Sequence, residues 1–185
     1  FRRRTSIVER GCLAPASIAK LDNSVFWLGD DGIVYRFGGN PIRVSTHEVE
    51  RQIAESADRG AGARAWASFL DGHSFYILRL ENAPALAYDA ATGVWHERAT
   101  YEMPAWRASC GTQGFGYDLV GEADAGQIYR LDPATYADGD LPLVSTQVCA
   151  PLYADGKRMF FHRLEAEVEV GGGLTTGQGD DPQAM

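Results

Sequence analysis

The sequence predicts an all-β fold: a partial β-propeller-like array of about three four-stranded blades with one short inserted helix. Three observations carry this expectation. Short β-branched and aromatic runs recur between tight turns, the residue types that fit a pleated, half-buried surface. Tyr35 in Ile-Val-Tyr-Arg, Tyr88 in Leu-Ala-Tyr-Asp and Tyr129 in Gln-Ile-Tyr-Arg sit at matching places, 53 and 41 residues apart. Periods of about 40–50 residues with four strands each are a propeller signature. Glycine is also plentiful, 21 of 185 residues, as a fold with many turns requires.

The elements follow in order. Ser17–Leu21 reads as a short strand and Asp22-Asn23-Ser24 as a turn. Val25–Gly29 and Ile33–Arg36 read as a hairpin closed by Asp30-Asp31-Gly32, with Pro41–Thr46 as a third strand. This stretch is expected to form the inner part of a blade. The period then changes. His47–Ser56 places Val49, Ile53 and Ala54 on one side of a helix, with Ser45 or Thr46 as N-cap and Glu48 and Glu50 in the first turn. Because the helix interrupts the repeat, it is expected to present a partner-facing surface, with Val49 and Ile53 as candidate interaction residues.

A second round reads as strands at Ala63–Leu70, His73–Leu80, Ala85–Asp89 and Val94–Arg98. A third reads as Arg107–Cys110, Phe115–Val120, Gly126–Leu131 and Leu141–Thr146. A last strand pair is expected after Asp155-Gly156. In it, Leu164, Ala166, Val168 and Val170 alternate with Glu165, Glu167 and Glu169. The array is thus expected to span residues 1–170, with 171–185 as a connector. A chain running from Phe1 to Met185, ending within a polar phrase, reads as part of a longer protein.

Composition narrows the partners. The formal charge is −8, and wrapping a phosphate backbone needs clustered Lys and Arg instead. The dense basic run, Arg2-Arg3-Arg4, reads as a solvated arm at a chain end. Cys12, Cys110 and Cys149 stand far apart, which argues against a disulfide framework and suits a reducing compartment. No apolar run reaches the roughly 18–20 residues that span a bilayer, so no membrane partner is expected. No signal peptide is read at the N-terminus.

Chemistry-bearing patterns are sparse. His47, His73, His96 and His162 are never paired at metal-ligand spacing, and His96 and Glu97, adjacent on a strand, face opposite ways. Asp30-Asp31, Glu48/Glu50, Asp138/Asp140 and Asp180-Asp181 supply carboxylates. A glycosidase needs two of them facing each other across a cleft, whereas Asp in turns is expected for backbone reasons. The glycine-rich stretches 111–116 and 171–179 lack the phosphate-loop lysine and open no helix. Phe26, Trp27, Phe75, Tyr76, Trp95, Phe160 and Phe161 read as packing between blades. Tyr88-Asp-Ala-Ala-Thr-Gly-Val-Trp95 looks like the tyrosine-to-tryptophan spacing of kelch blades. No catalytic, cofactor-binding or metal-ligating residue is assigned. A kelch-like module binding glycans or peptides and a glycosidase-type propeller are the rival readings.

One resemblance is specific. Gly11–Ile18, Val25–Gly29, Ile33–Arg36, Pro41–His47, Tyr88–Arg98 and Gly177-Gln-Gly-Asp-Asp-Pro-Gln183, in this order, resemble the packaged-DNA stabilisation (tail hub) proteins of short-tailed, P22-like phages. The resemblance implies a non-enzymatic head-completion protein of the virion tail, made in the host bacterial cytoplasm. It implies a homo-oligomeric ring below the portal and its adaptor that helps retain the genome and carries the tail needle and tailspikes. Packaged double-stranded DNA would pass nearby without sequence-specific binding, which an acidic balance suits.

Overall fold

Four two-residue turns set the cadence of the computed structural model, which describes residues 9–122, 125–149, 152–153, 155–163 and 165. Asp22-Asn23, Asp71-Gly72, Phe115-Gly116 and Asp155-Gly156 each hold both residues at positive φ, between 46° and 80°. That is the backbone of a type I′ turn, whose twist matches that of the strands it joins. The chain divides into two units, Phe1–Leu143 and Val144–Met185.

In the first unit the first three of these turns each open a sheet. Sheet one runs in the order β1 (Ala19–Leu21), β2 (Ser24–Leu28), β3 (Val34–Phe37) and β4 (Pro41–Arg43). Sheet two runs β5 (Arg64–Leu70), β6 (His73–Arg79), β7 (Ala85–Asp89) and β8 (Trp95–Arg98). Sheet three holds β9 (Ala108–Gly114), β10 (Tyr117–Glu122) and β11 (Ile128–Leu131), and all pairings are antiparallel. Tyr35, Tyr88 and Tyr129 lie on β3, β7 and β11, the third strand of each sheet. The tyrosine period in the sequence therefore marks a true structural repeat.

The first strands of successive sheets lie side by side, β1 against β5 and β5 against β9. The inner strand of sheet one is thus β1, and Val25–Thr46 forms its middle and outer strands, contrary to the sequence expectation. β1 is short because Pro15–Ser17 forms a 3-10 turn instead. There the Ser17 hydroxyl donates to Ala14 O at 2.6 Å and accepts from Leu28 N at 2.9 Å.

Sheet two is covered on both faces, and alternation along its strands sorts side chains between two cores. Tyr76, Leu78, Leu86 and Tyr88 join Leu21, Phe26, Leu28 and Val34 of sheet one. Ile77, Ala85 and Ala87 join Trp66, Trp106 and Val120 on the side of sheet three. This is why every residue of β7, Ala-Leu-Ala-Tyr-Asp, is buried: a strand covered on both faces reads as a continuous apolar run rather than an alternating one. Phe26 stacks on Tyr76 with ring centroids 5.2 Å apart. The Tyr76 hydroxyl donates to Ser17 O at 2.8 Å, and Trp95 Nε1 donates to Val44 O at 2.8 Å. The polar tips of Tyr76 and Trp95 thus both meet a backbone carbonyl.

Helix α1 spans His47–Glu55, with Thr46 as N-cap accepting from Val49 N at 3.3 Å. Glu50 anchors it to sheet one, accepting from Arg43 Nε (2.8 Å), Arg43 Nη2 (2.7 Å) and the Ser45 hydroxyl (2.7 Å). Sheet three departs from the expected four strands. Leu141-Pro142 (β13) pairs with Ala137-Asp138 (β12) in a separate two-residue ribbon, and residues 143–146 form no strand. The chain turns away from β11 at Asp132, which accepts from Ala134 N at 3.0 Å. Pro142 lacks the N–H that a continuing ladder would need, and Asp138 is held by Thr100 instead, at 2.8 Å.

In the second unit the expected turn at Asp155-Gly156 is present, but residues 157–163 and 165 form no strand. Residue 164 and residues 166–185, with the rest of the expected strand and the connector, lie outside the described residues. A hairpin gains little on its own without a covering face.

Candidate functional site

The residues assigned from sequence to a partner surface are found inside. Val49 is 4% and Ile53 1% exposed, both within the core shared by sheets one and two. Their burial follows from helical spacing: residues four apart share a face, and Glu50 and Thr46 fix that face against the sheet. The outward side of α1 carries Glu48, Arg51 and Glu55, joined as ion pairs. Gln52 reaches Glu97 on β8 at 2.6 Å.

The histidines stay apart. His47 is exposed beside Arg43 and Glu50, and His162 is exposed in the second unit. His96 meets the Phe75 ring edge-on while Glu97 turns to the helix, so the two do face opposite ways. No three His, Cys, Asp or Glu side chains converge among the described residues. Of the turn carboxylates, Asp31 accepts from Ile33 N and from the Tyr35 hydroxyl, and Asp138 accepts from the Thr100 hydroxyl. Asp180-Asp181 lies outside the described residues. The kelch-like phrase is the β7–β8 hairpin, with Tyr88 paired to Trp95 and their rings 5.1 Å apart.

That hairpin is organised by Asp89, which was not singled out in the sequence. Its carboxylate accepts from Ala91 N (2.9 Å), the Thr92 hydroxyl (2.8 Å) and His73 Nδ1 (2.8 Å). Burial opposes its ionisation, but the bonds from Thr92, Ala91 and His73 hold its carboxyl below the ordinary value of 3.8. Stability from this group is therefore full above the ordinary value and is lost as pH falls through the depressed one. In urea melts run from neutrality to about pH 3, Asp89→Asn should differ most from wild type at neutral pH, with the gap closing in acid. A gap that stays constant with pH would mean Asp89 is not ionised in the fold.

The boundary between sheets two and three is built on residues that sequence patterns did not flag. Asp118, 6% exposed on β10, accepts from the Ser68 hydroxyl and from Phe69 N on β5. Trp66 stacks on Trp106 with centroids 6.0 Å apart, and Arg98 lies over the rings of Phe75 and Trp106. Close approach of the inner strands needs Gly111: a Cβ there would stand 2.2 Å from Trp66 Nε1. The stretch around Gly111 is thus the strand β9, packed against an indole. Beside this boundary, a cleft of about 660 Å³ is lined by Arg64, Arg79, Glu81, Asn82, Ser109 and Glu122.

The far face of sheet three is open. Cys110, Thr112, Tyr117 and Ile128 point away from sheet two and are exposed, Ile128 by 74%. No helix among the described residues is long and apolar enough to cross a membrane. Among the described residues, sheet three is thus exposed on the side away from sheet two.

No curated protein shows a significant match to the chain. Residues 1–136 match the family described as Bacteriophage P22 Gp10, beta-propeller, and this span contains sheets one to three with their inter-sheet cores. The repeated sheets agree with the propeller architecture in that description, and the chain belongs to this family of phage stabilisation proteins.

Proposed function

We propose that the protein is a head-completion component of the virion tail that assembles as a ring between the portal-adaptor complex and the tail needle and spikes, and retains packaged DNA. The family match over residues 1–136 carries this reading. An uncovered sheet face supports it, since exposed apolar sheet surface and open edges call for cover by other protein. The proposed role is structural rather than enzymatic, with DNA passing an acidic conduit without being gripped. The repeat is proposed to extend to residue 170, with 171–185 as a connector. The turn at Asp155-Gly156 supports this as the fourth of its kind. Helix α1 is proposed to meet a partner through Glu48, Arg51 and Glu55, with Val49 and Ile53 acting on assembly through the fold.

Deleting the gene should give particles that package DNA, lose it, and carry neither needle nor spikes. Infectious, DNA-filled particles from the deletion would sink the reading. Native mass measurement of the full-length protein gives a second check: a ring is expected, whereas a monomer that cleaves members of a glycan panel would favour a propeller enzyme.

A further inference from the structure

The cleft at the edge of sheets two and three has a charge arrangement that the fold does not use. Arg64 and Arg79 are direct cross-strand partners on β5 and β6, so both side chains leave the same face with Cβ atoms about 4.5–5.5 Å apart. Like charges placed so are destabilising unless an anion lies between them. Neither arginine forms an ion pair among the described residues. Arg79 Nε is buried without an acceptor, and a cationic N–H taken out of water needs one.

We propose that this cleft docks a carboxylate-bearing side chain of a protein partner. Two guanidinium forks held on adjacent strands match the planar, two-oxygen geometry of a carboxylate. The same cleft holds Glu81 and Glu122, and Glu122 already accepts from the Tyr129 hydroxyl at 3.1 Å. With two positive and two negative groups, the cleft does not favour a run of phosphates. It suits a mixed-charge peptide whose acid meets the arginines and whose neighbouring base meets Glu81. The proposal depends on the assembly reading only for taking the partner to be a protein; the anion chemistry stands without it.

The test is titration of the full-length protein with acetyl-Glu-Lys-amide, following the arginine Nε–H resonances by nitrogen-15 NMR. The Arg79 resonance should shift, and Arg64→Gln should weaken binding about tenfold or more, the scale of a hydrogen bond to a charged group. Acetyl-Gln-Lys-amide should not bind, and Glu81→Gln should weaken the Glu-Lys peptide while strengthening acetate. Arg64 is exposed, so its variant keeps the test valid even if Arg79→Gln fails to fold. Several outcomes overturn the proposal: no Arg79 response, an equal response in Arg64→Gln, or tighter binding of a short DNA duplex than of the peptide. Peptide binding by the isolated protein, together with normal particles from the gene deletion, would remove the assembly reading and leave the cleft standing.

Discussion

Ile53→Asp is expected to destabilise the protein by at least about 4 kcal/mol, because it removes a buried aliphatic side chain and puts a carboxylate with no cation partner in its place. Ile53 is 1% exposed, and its Cγ2 lies 3.0 Å from where a Gly60 Cβ would stand, so the site has no slack for a hydrated group. A loss of that size is a large part of the roughly 5–15 kcal/mol that holds a domain together. Urea melts should show the folded baseline shortened or gone, whereas Ile53→Val should cost only about 1 kcal/mol. Wild-type melting of Ile53→Asp would mean that α1 does not dock as described. Alanine at Glu48, Arg51 and Glu55 together should leave the melt unchanged, since exposed ion pairs are screened by water and salt. In particles, that triple variant is the one that tests whether the helix meets a partner.

Gly111→Val should cost about 3 kcal/mol or more and separate sheets two and three, through overpacking against an indole that cannot retreat. The Trp66 ring is stacked on Trp106, and Trp66 is buried, so the added atoms must move either the ring or the strand. The expected signs are an earlier urea midpoint and loss of the near-ultraviolet circular dichroism of the tryptophan pair. Trp66→Leu should relieve part of the damage, because the two positions are in contact and their effects are not additive. If Gly111→Val alone leaves the tryptophan signal intact, the inner strands do not approach as closely as the structure has them.

Much of the fold could be read directly from the residues. Hairpins at Asp22-Asn23 and Asp71-Gly72 follow from turn chemistry that acts within a few residues, and the helix with its Thr46 cap follows from local spacing. The tyrosine period placed three equivalent strands correctly, because each tyrosine sits at the same point of a local supersecondary unit. Fewer of the site residues could be read this way. Val49 and Ile53 were recognised as one helical face, but amphipathic spacing gives a face without saying what covers it. Arg64 and Arg79 lie 15 residues apart in the sequence and become neighbours only through the β5–β6 register.

The sequence by itself determined the strand-and-turn cadence, the position of the helix and, through its ordered motifs, the family. Those features depend on interactions between near neighbours in the chain, or on motif order. The tertiary structure alone decided that β1 is an inner strand, that the Gly111 stretch is a strand rather than a loop, and that Leu141-Pro142 leaves sheet three. It also decided that the helix turns Val49 and Ile53 inward. Each of these depends on what lies across a sheet or between two sheets: an indole with no room for a Cβ, a proline without an N–H, a carboxylate bonded to a neighbouring strand. Such contacts join residues far apart in the chain, and their geometry exists only once the sheets have stacked.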